Sequence, residues 1–181
     1  MREPNILTKF DNGLLELVGQ AQFKMVCVTI DKQVHLTRYT SPFHPYHYCL
    51  AAMLDRYSGW LNYKNVVGDV MAEARGKEEN LQLEAAYRRV YESGTLMFSH
   101  VHHQRALTSR DIKIRPKVAN IAGLQLADVL AHPIKQACLI EKGRVPDTGG
   151  GFGKRLYQIA SAKFNLNELR RQVEGYGKVF L

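Results

Sequence analysis

Apolar positions along this chain switch between a helical and an extended spacing. Phe10, Leu14, Leu17 and Val18 recur three or four apart and predict an amphipathic helix over residues 10–20. The run from Phe23 through Met25-Val26-Cys27-Val28-Thr29-Ile30 to Asp31 is short, β-branched and almost continuously apolar. That pattern suits a strand covered on both faces and ending at Asp31. Beyond a turn-rich stretch at 40–45, Leu50, Met53, Leu54, Tyr57, Trp60 and Leu61 mark the core face of a helix over 46–63. Residues 66–73 read as a strand with Val67, Asp69, Met71 and Glu73 on one face, ended by Gly76. Leu83, Tyr87 and Val90 predict a helix over 78–92 that exposes Arg88 and Arg89. Short strands are expected at 95–98 and 111–114.

Asn120 offers an N-cap for the next helix, and Pro133 should kink or restart it. Residues 146–153 form a loop, 152–164 are amphipathic again, and 174–178 look extended or irregular. Alternating helices and strands argue for an α/β fold with parallel strands flanked by helices. In such sheets functional groups gather at the carboxyl ends of strands, where Asp31 and Glu73 stand.

With 181 residues, 45% of them hydrophobic, the chain is expected to form a single domain, 1–181. No apolar run approaches the roughly 18 residues that span a bilayer, and the N-terminus has no signal-type apolar core. Cys27, Cys49 and Cys138 are far apart and odd in number, as expected of reduced thiols in a cytoplasmic protein. A net charge of +8 favours polyanionic partners.

Candidate chemistry starts at Leu124-Gln125-Leu126-Ala127-Asp128, where a carboxylate sits in an apolar helix. Gln125, Asp128, His132 and Lys135 share one stripe, while Ala122, Leu126, Val129, Leu130 and Ile134 cover the rest. The expectation is a helix buried nearly all round, with a polar seam that is either a salt bridge or an active site. Glu73 is either paired with Arg75, engaged in a helix-capping contact, or a catalytic, metal-binding acid. Asp31 either caps a turn or joins that site, and Asp69 reads as an exposed edge position. The histidines of Ser99-His100-Val101-His102-His103-Gln104 are expected in a solvated loop, and His44 and His47 carry no stronger signal.

The glycines at 149–153 fail as a phosphate loop because Thr148 and Arg155 occupy the diagnostic positions. A flexible loop or a simple anion cradle remains. Lys113, Arg115 and Lys117 alternate, which makes either a nucleic-acid track or a solvated strand edge.

Asp111-Ile-Lys-Ile-Arg-Pro-Lys117 running into Asn120-Ile-Ala-Gly-Leu-Gln-Leu-Ala-Asp128 resembles the C-terminal signature of the family called domain of unknown function 3800. Val28-Thr29-Ile30-Asp31-Lys32, Met71-Ala72-Glu73-Ala74-Arg75-Gly76 and Gly175-Tyr176-Gly177 extend the resemblance over the chain from about Phe10. It implies a three-layer ribonuclease H-like fold and a nuclease whose acids bind two Mg²⁺ or Mn²⁺ ions. Glu73 and Asp128 would be ligands and catalytic acids, Asp31 a further ligand, and Gln125 and Arg75 their supports. Such an ion pair activates water and stabilises the leaving oxygen of a phosphodiester.

The family's opening Asp-Glu-Ser-Gly strand and hairpin do not occur in this chain. An N-terminally truncated form of the fold is therefore expected. Its 23–31 strand would have an open edge that invites pairing into a homo-oligomer. The alternatives are a non-catalytic module of a mobile element or defence system that binds nucleic acid or a partner, and a small-molecule enzyme using the 149–153 loop.

Overall fold

The computed structural model describes residues 4–38, 44–147 and 149–181. It is a mixed α/β structure of seven α-helices and four short strands among those residues. Helix α1 spans Pro4–Gln20 and leads into β1, Cys27–Thr29. Helix α2 (Lys32–Arg38) follows at once, a helix that the apolar spacing does not announce. Helix α3 covers Pro45–Lys64 and starts on Pro45, whose fixed φ and missing N–H suit a first turn. It stops at Asn65 in the left-handed conformation, a residue that tolerates this geometry better than most.

Strand β2 (Met71–Glu73), helix α4 (Lys77–Ser93) and helix α5 (His100–Ala106) come next. Then follow β3 (Lys113–Arg115), α6 (Ala122–Glu141), α7 (Phe152–Ala160) and β4 (Lys178–Phe180).

The strands form two separate parallel pairs. In one, β1 lies beside β4 with Cys27 opposite Lys178 and Thr29 opposite Phe180. In the other, β2 lies beside β3 with Met71 opposite Lys113 and Glu73 opposite Arg115. Parallel strands were expected; two two-stranded sheets in place of one were not. Strand β1 is also shorter than the apolar run that predicts it, is only half-buried, and reaches Phe164 through an isolated bridge at Met25. The 174–178 tail feeds a true strand, β4, and residues 95–98 form a bend where a strand was expected.

Two apolar clusters hold the elements. One joins Val18, Leu130, Ile134, Leu156 and Phe164, so α1, α6 and α7 pack together. The other joins Leu54, Leu61, Tyr87, Val90 and Ile112 between α3, α4 and β3. Helix α6 touches both β1 and β2 and so lies against both sheets. Pro133 neither stops nor restarts it. Burial of Leu130, Ile134 and Cys138, one turn apart on a single face, carries the helix across the missing N–H. In α1, Leu14 and Val18 turn inward, whereas Phe10 and Leu17 are exposed.

Candidate functional site

The acid stripe of α6 follows from how the helix buries itself. Leu126, Leu130, Ile134 and Cys138 face the core at four-residue spacing. Gln125, Asp128, His132 and Lys135 therefore point the other way, and all four are exposed. This corrects the expectation of a helix buried nearly all round: Asp128 stands in water, where an ionised carboxylate needs no compensator. Among the described residues Asp128 makes no hydrogen bond or ion pair, and Gln125 donates back to Asn120 Oδ1.

Glu73 ends β2, directly across from Arg115. Its one ion pair is a long one, 3.9 Å from Oε1 to Lys117 Nζ. The expected Glu73–Arg75 pair does not form. Arg75 donates instead to the Tyr46 hydroxyl at 2.8 Å, with its guanidinium 5.3 Å over that ring.

Asp31 has a structural role. Its Oδ1 accepts the backbone N–H groups of Gln33 (3.1 Å) and Val34 (3.2 Å), capping α2. Its Oδ2 takes Arg144 Nη2 at 2.6 Å. Both oxygens are engaged, and they sit at the end of β1 rather than with the β2–β3 pair. The turn-capping alternative holds for this residue.

Among the described residues no group of three or more His, Cys, Asp or Glu side chains is placed to hold a metal ion. Asp31, Glu73 and Asp128 are thus not gathered into one three-acid cluster among the described residues.

The basic residues divide similarly. Lys113 is bound to Asp69, which also accepts from Thr108 Oγ1. Those two donors, Lys113 first, hold the Asp69 carboxyl below the usual carboxylate range. Arg115 and Lys117 are exposed and remain the outward cations of the expected track.

The histidine run contradicts its expectation most clearly. Residues 100–106 are helical, and His103 is fully buried. Its Nδ1 lies 3.1 Å from Ser58 Oγ, and its Nε2 lies 3.5 Å from Asp55 Oδ1. Thr95 Oγ1 donates to that same oxygen at 2.7 Å. Gly94 makes this contact possible: with φ at +77° it turns the chain so tightly that a Cβ would lie 2.5 Å from Phe98 O. Burial lowers the His103 pKa to about 4, so the ring is neutral at pH 7, and burial also raises the Asp55 carboxyl.

Serine, histidine and aspartate together suggest an activated nucleophile, but Ser58 is wholly buried and no substrate can reach its Oγ. The network is structural. Its signal was present in the sequence, because Asp55 and Ser58 fall on the same α3 face as Leu54 and Leu61. Asp55 also lines a cleft of about 580 Å³ between α3 and the segment 165–176.

No protein-family model, curated protein or solved structure matches this chain. None of the described helices is long and apolar enough to cross a membrane.

Proposed function

We propose that this chain is a ribonuclease H-like module of the domain of unknown function 3800 type, directed at nucleic-acid phosphodiesters. In this reading Glu73 and Asp128 serve Mg²⁺- or Mn²⁺-dependent hydrolysis when further ligands complete the site. The observation that carries it is the state of the acids. Asp31, Asp55 and Asp69 are each engaged by close donors, whereas Asp128 has no partner and Glu73 only a 3.9 Å contact, among the described residues. Both free acids belong to neighbouring elements, because α6 touches β2. Magnesium sites use few protein carboxylates and take their other oxygens from water and substrate phosphates. Arg115 and Lys117 supply phosphate contacts beside Glu73.

Each of the four strands pairs with one other strand among the described residues, and Lys178 of β4 also bridges Glu174. Strand addition at a free edge gives the module a route to a homo-oligomer, or to a partner that brings the missing ligands. The free thiols of Cys27, Cys49 and Cys138 suit a cytoplasmic protein.

The test is hydrolysis of DNA, RNA and hybrid duplexes with Mn²⁺ or Mg²⁺, with light scattering in parallel. The expected result is metal-dependent cleavage by an oligomeric species, abolished in Glu73→Ala and in Asp128→Ala. Cleavage unchanged in both variants overturns the assignment of these acids, and a monomer at micromolar concentration removes the strand-pairing route. A second reading rests on the failure of three acids to gather: a non-catalytic nucleic-acid-binding module of a mobile element or defence system. Salt-sensitive binding without turnover is its mark.

A further inference from the structure

The cleft between α3 and the 165–176 segment combines three features of a small-molecule site. Its volume, about 580 Å³, matches that of a small-molecule pocket. Trp60, Tyr63, Phe98 and Tyr176 give it aromatic walls. Its charge is opposite to that of the protein: Asp55, Glu168 and Glu174 line it against Arg56 alone, in a chain that carries +8.

Asp55 is the decisive group, being only 5% exposed. Its Oδ1 is taken by Thr95 and faces His103, but its Oδ2 accepts no hydrogen bond among the described residues. The nearest cation to Oδ2 is Arg56 Nη1 at 3.8 Å. That guanidinium is directed elsewhere, its Nε donating to Gly175 O at 2.9 Å and its Nη1 lying 3.2 Å from Met97 Sδ. An ionised carboxylate oxygen that keeps solvent access and has unused hydrogen-bonding capacity favours a cation with N–H donors.

Gly59 adds an independent observation. It sits inside α3, where glycine weakens a helix, and it lines the cleft. A Cβ placed on it meets no atom within 4 Å. The missing side chain leaves room beside Trp60 that a ligand can fill.

We propose that this cleft binds an organic cation with an apolar body, of the arylalkylamine class. Its ammonium donates to Asp55 Oδ2, and its ring lies among Trp60, Phe98 and Tyr176. Aromatic faces attract both ends of such a ligand, the ring by stacking and the ammonium by cation–π contact. Glu168 is held by Lys64 Nζ at 2.7 Å and the Tyr63 hydroxyl at 2.9 Å, and Glu174 lies 3.9 Å from Lys142 Nζ, so Asp55 is left to recognise the ligand's charge. This site is separate from the acids of β2 and α6.

Trp60 is the only tryptophan in the chain, so its fluorescence reports the cleft directly. The experiment titrates the full chain with phenethylamine, phenethyl alcohol and phenylacetate. The expected result is a saturable change with the amine, at a Kd at least tenfold below that of the alcohol, and no saturation with the carboxylate. Asp55→Asn should weaken the amine tenfold or more. Should that variant fail to fold, Gly59→Leu gives the decisive result: it leaves the thermal melt cooperative and fills the cleft, so the amine response should vanish. Equal affinity for amine and alcohol, no saturation with the amine, or retained binding in Gly59→Leu overturns the proposal.

Discussion

Asp55 and Asp128 are the same side chain on two amphipathic helices, with opposite placements. Asp55 lies on the buried face of α3 among Leu54, Ser58 and Leu61, and Thr95 and His103 come from elsewhere in the chain to meet it. Asp128 lies on the outer face of α6, opposite Leu130 and Ile134, with no described partner. A buried carboxylate must be satisfied by the fold, and its neighbours are then fixed by stability. An exposed one costs nothing to keep and leaves its neighbours free.

The contrast breaks most readily at Asp55. Replacing it with alanine strands Thr95 and His103 in the interior and should cost about 3 kcal/mol by urea denaturation. Loss of the cooperative transition altogether would count as a still larger effect.

Acid should act on the same region by up to a similar amount. The pKa of His103 is lowered from 6.5 to about 4 in the fold. Its contribution is therefore complete above pH 6.5, where the ring is neutral folded or unfolded. Below that the unfolded chain binds the proton first, and stability falls by at most about 3 kcal/mol as pH drops to 4. His102, also lowered by burial, adds in the same direction. Asp55, raised by burial, binds its proton more readily folded than unfolded and offsets part of the loss at the acid end. Denaturation midpoints between pH 7.5 and 4 measure the sum, and His103→Gln should flatten the profile.

Asp31 falls between the two extremes. It caps α2 and pairs with Arg144 near the surface, so Asp31→Ala should cost about 1 kcal/mol in the same assay. At the basic edge, Arg115→Ala and Lys117→Ala should leave stability within about 0.5 kcal/mol. Each should reduce the salt dependence of nucleic-acid binding by about one unit of slope, as loss of a phosphate contact does. Lys113→Ala should differ from both by destabilising the fold, because Asp69 loses its cation.

The longer helices were legible in the sequence because their apolar spacing survives folding, whereas the seven-residue α2 and α5 were not. Leu83, Tyr87 and Val90 are turned inward or buried, and Arg88 and Arg89 are exposed, as the pattern of α4 requires. The strands were less legible. An apolar run shows that a segment can pair but not for how many residues, and β1 uses three of the nine between Phe23 and Asp31. Its partner β4 lies in a tail whose composition suggests no strand.

The acids were read by type and position, and burial decides their roles. The periodicity of α6 placed Asp128 and Gln125 on one stripe correctly, but it could not say whether that stripe meets protein or water. The same argument, a carboxylate on an apolar helix face, applies more strongly to Asp55 on α3. A run of histidines looks solvated until Ser58 arrives from another helix, 45 residues away in sequence, to meet His103.

The acid stripe of α6 is not part of what holds the fold together. Urea denaturation of Asp128→Ala beside Asp55→Ala, at pH 7, tests it most directly. The predicted result is a change within about 0.5 kcal/mol for Asp128→Ala against a loss of about 3 kcal/mol for Asp55→Ala. A cost of about 1.5 kcal/mol or more for Asp128→Ala, of the size seen when a satisfied polar group is removed, would contradict it.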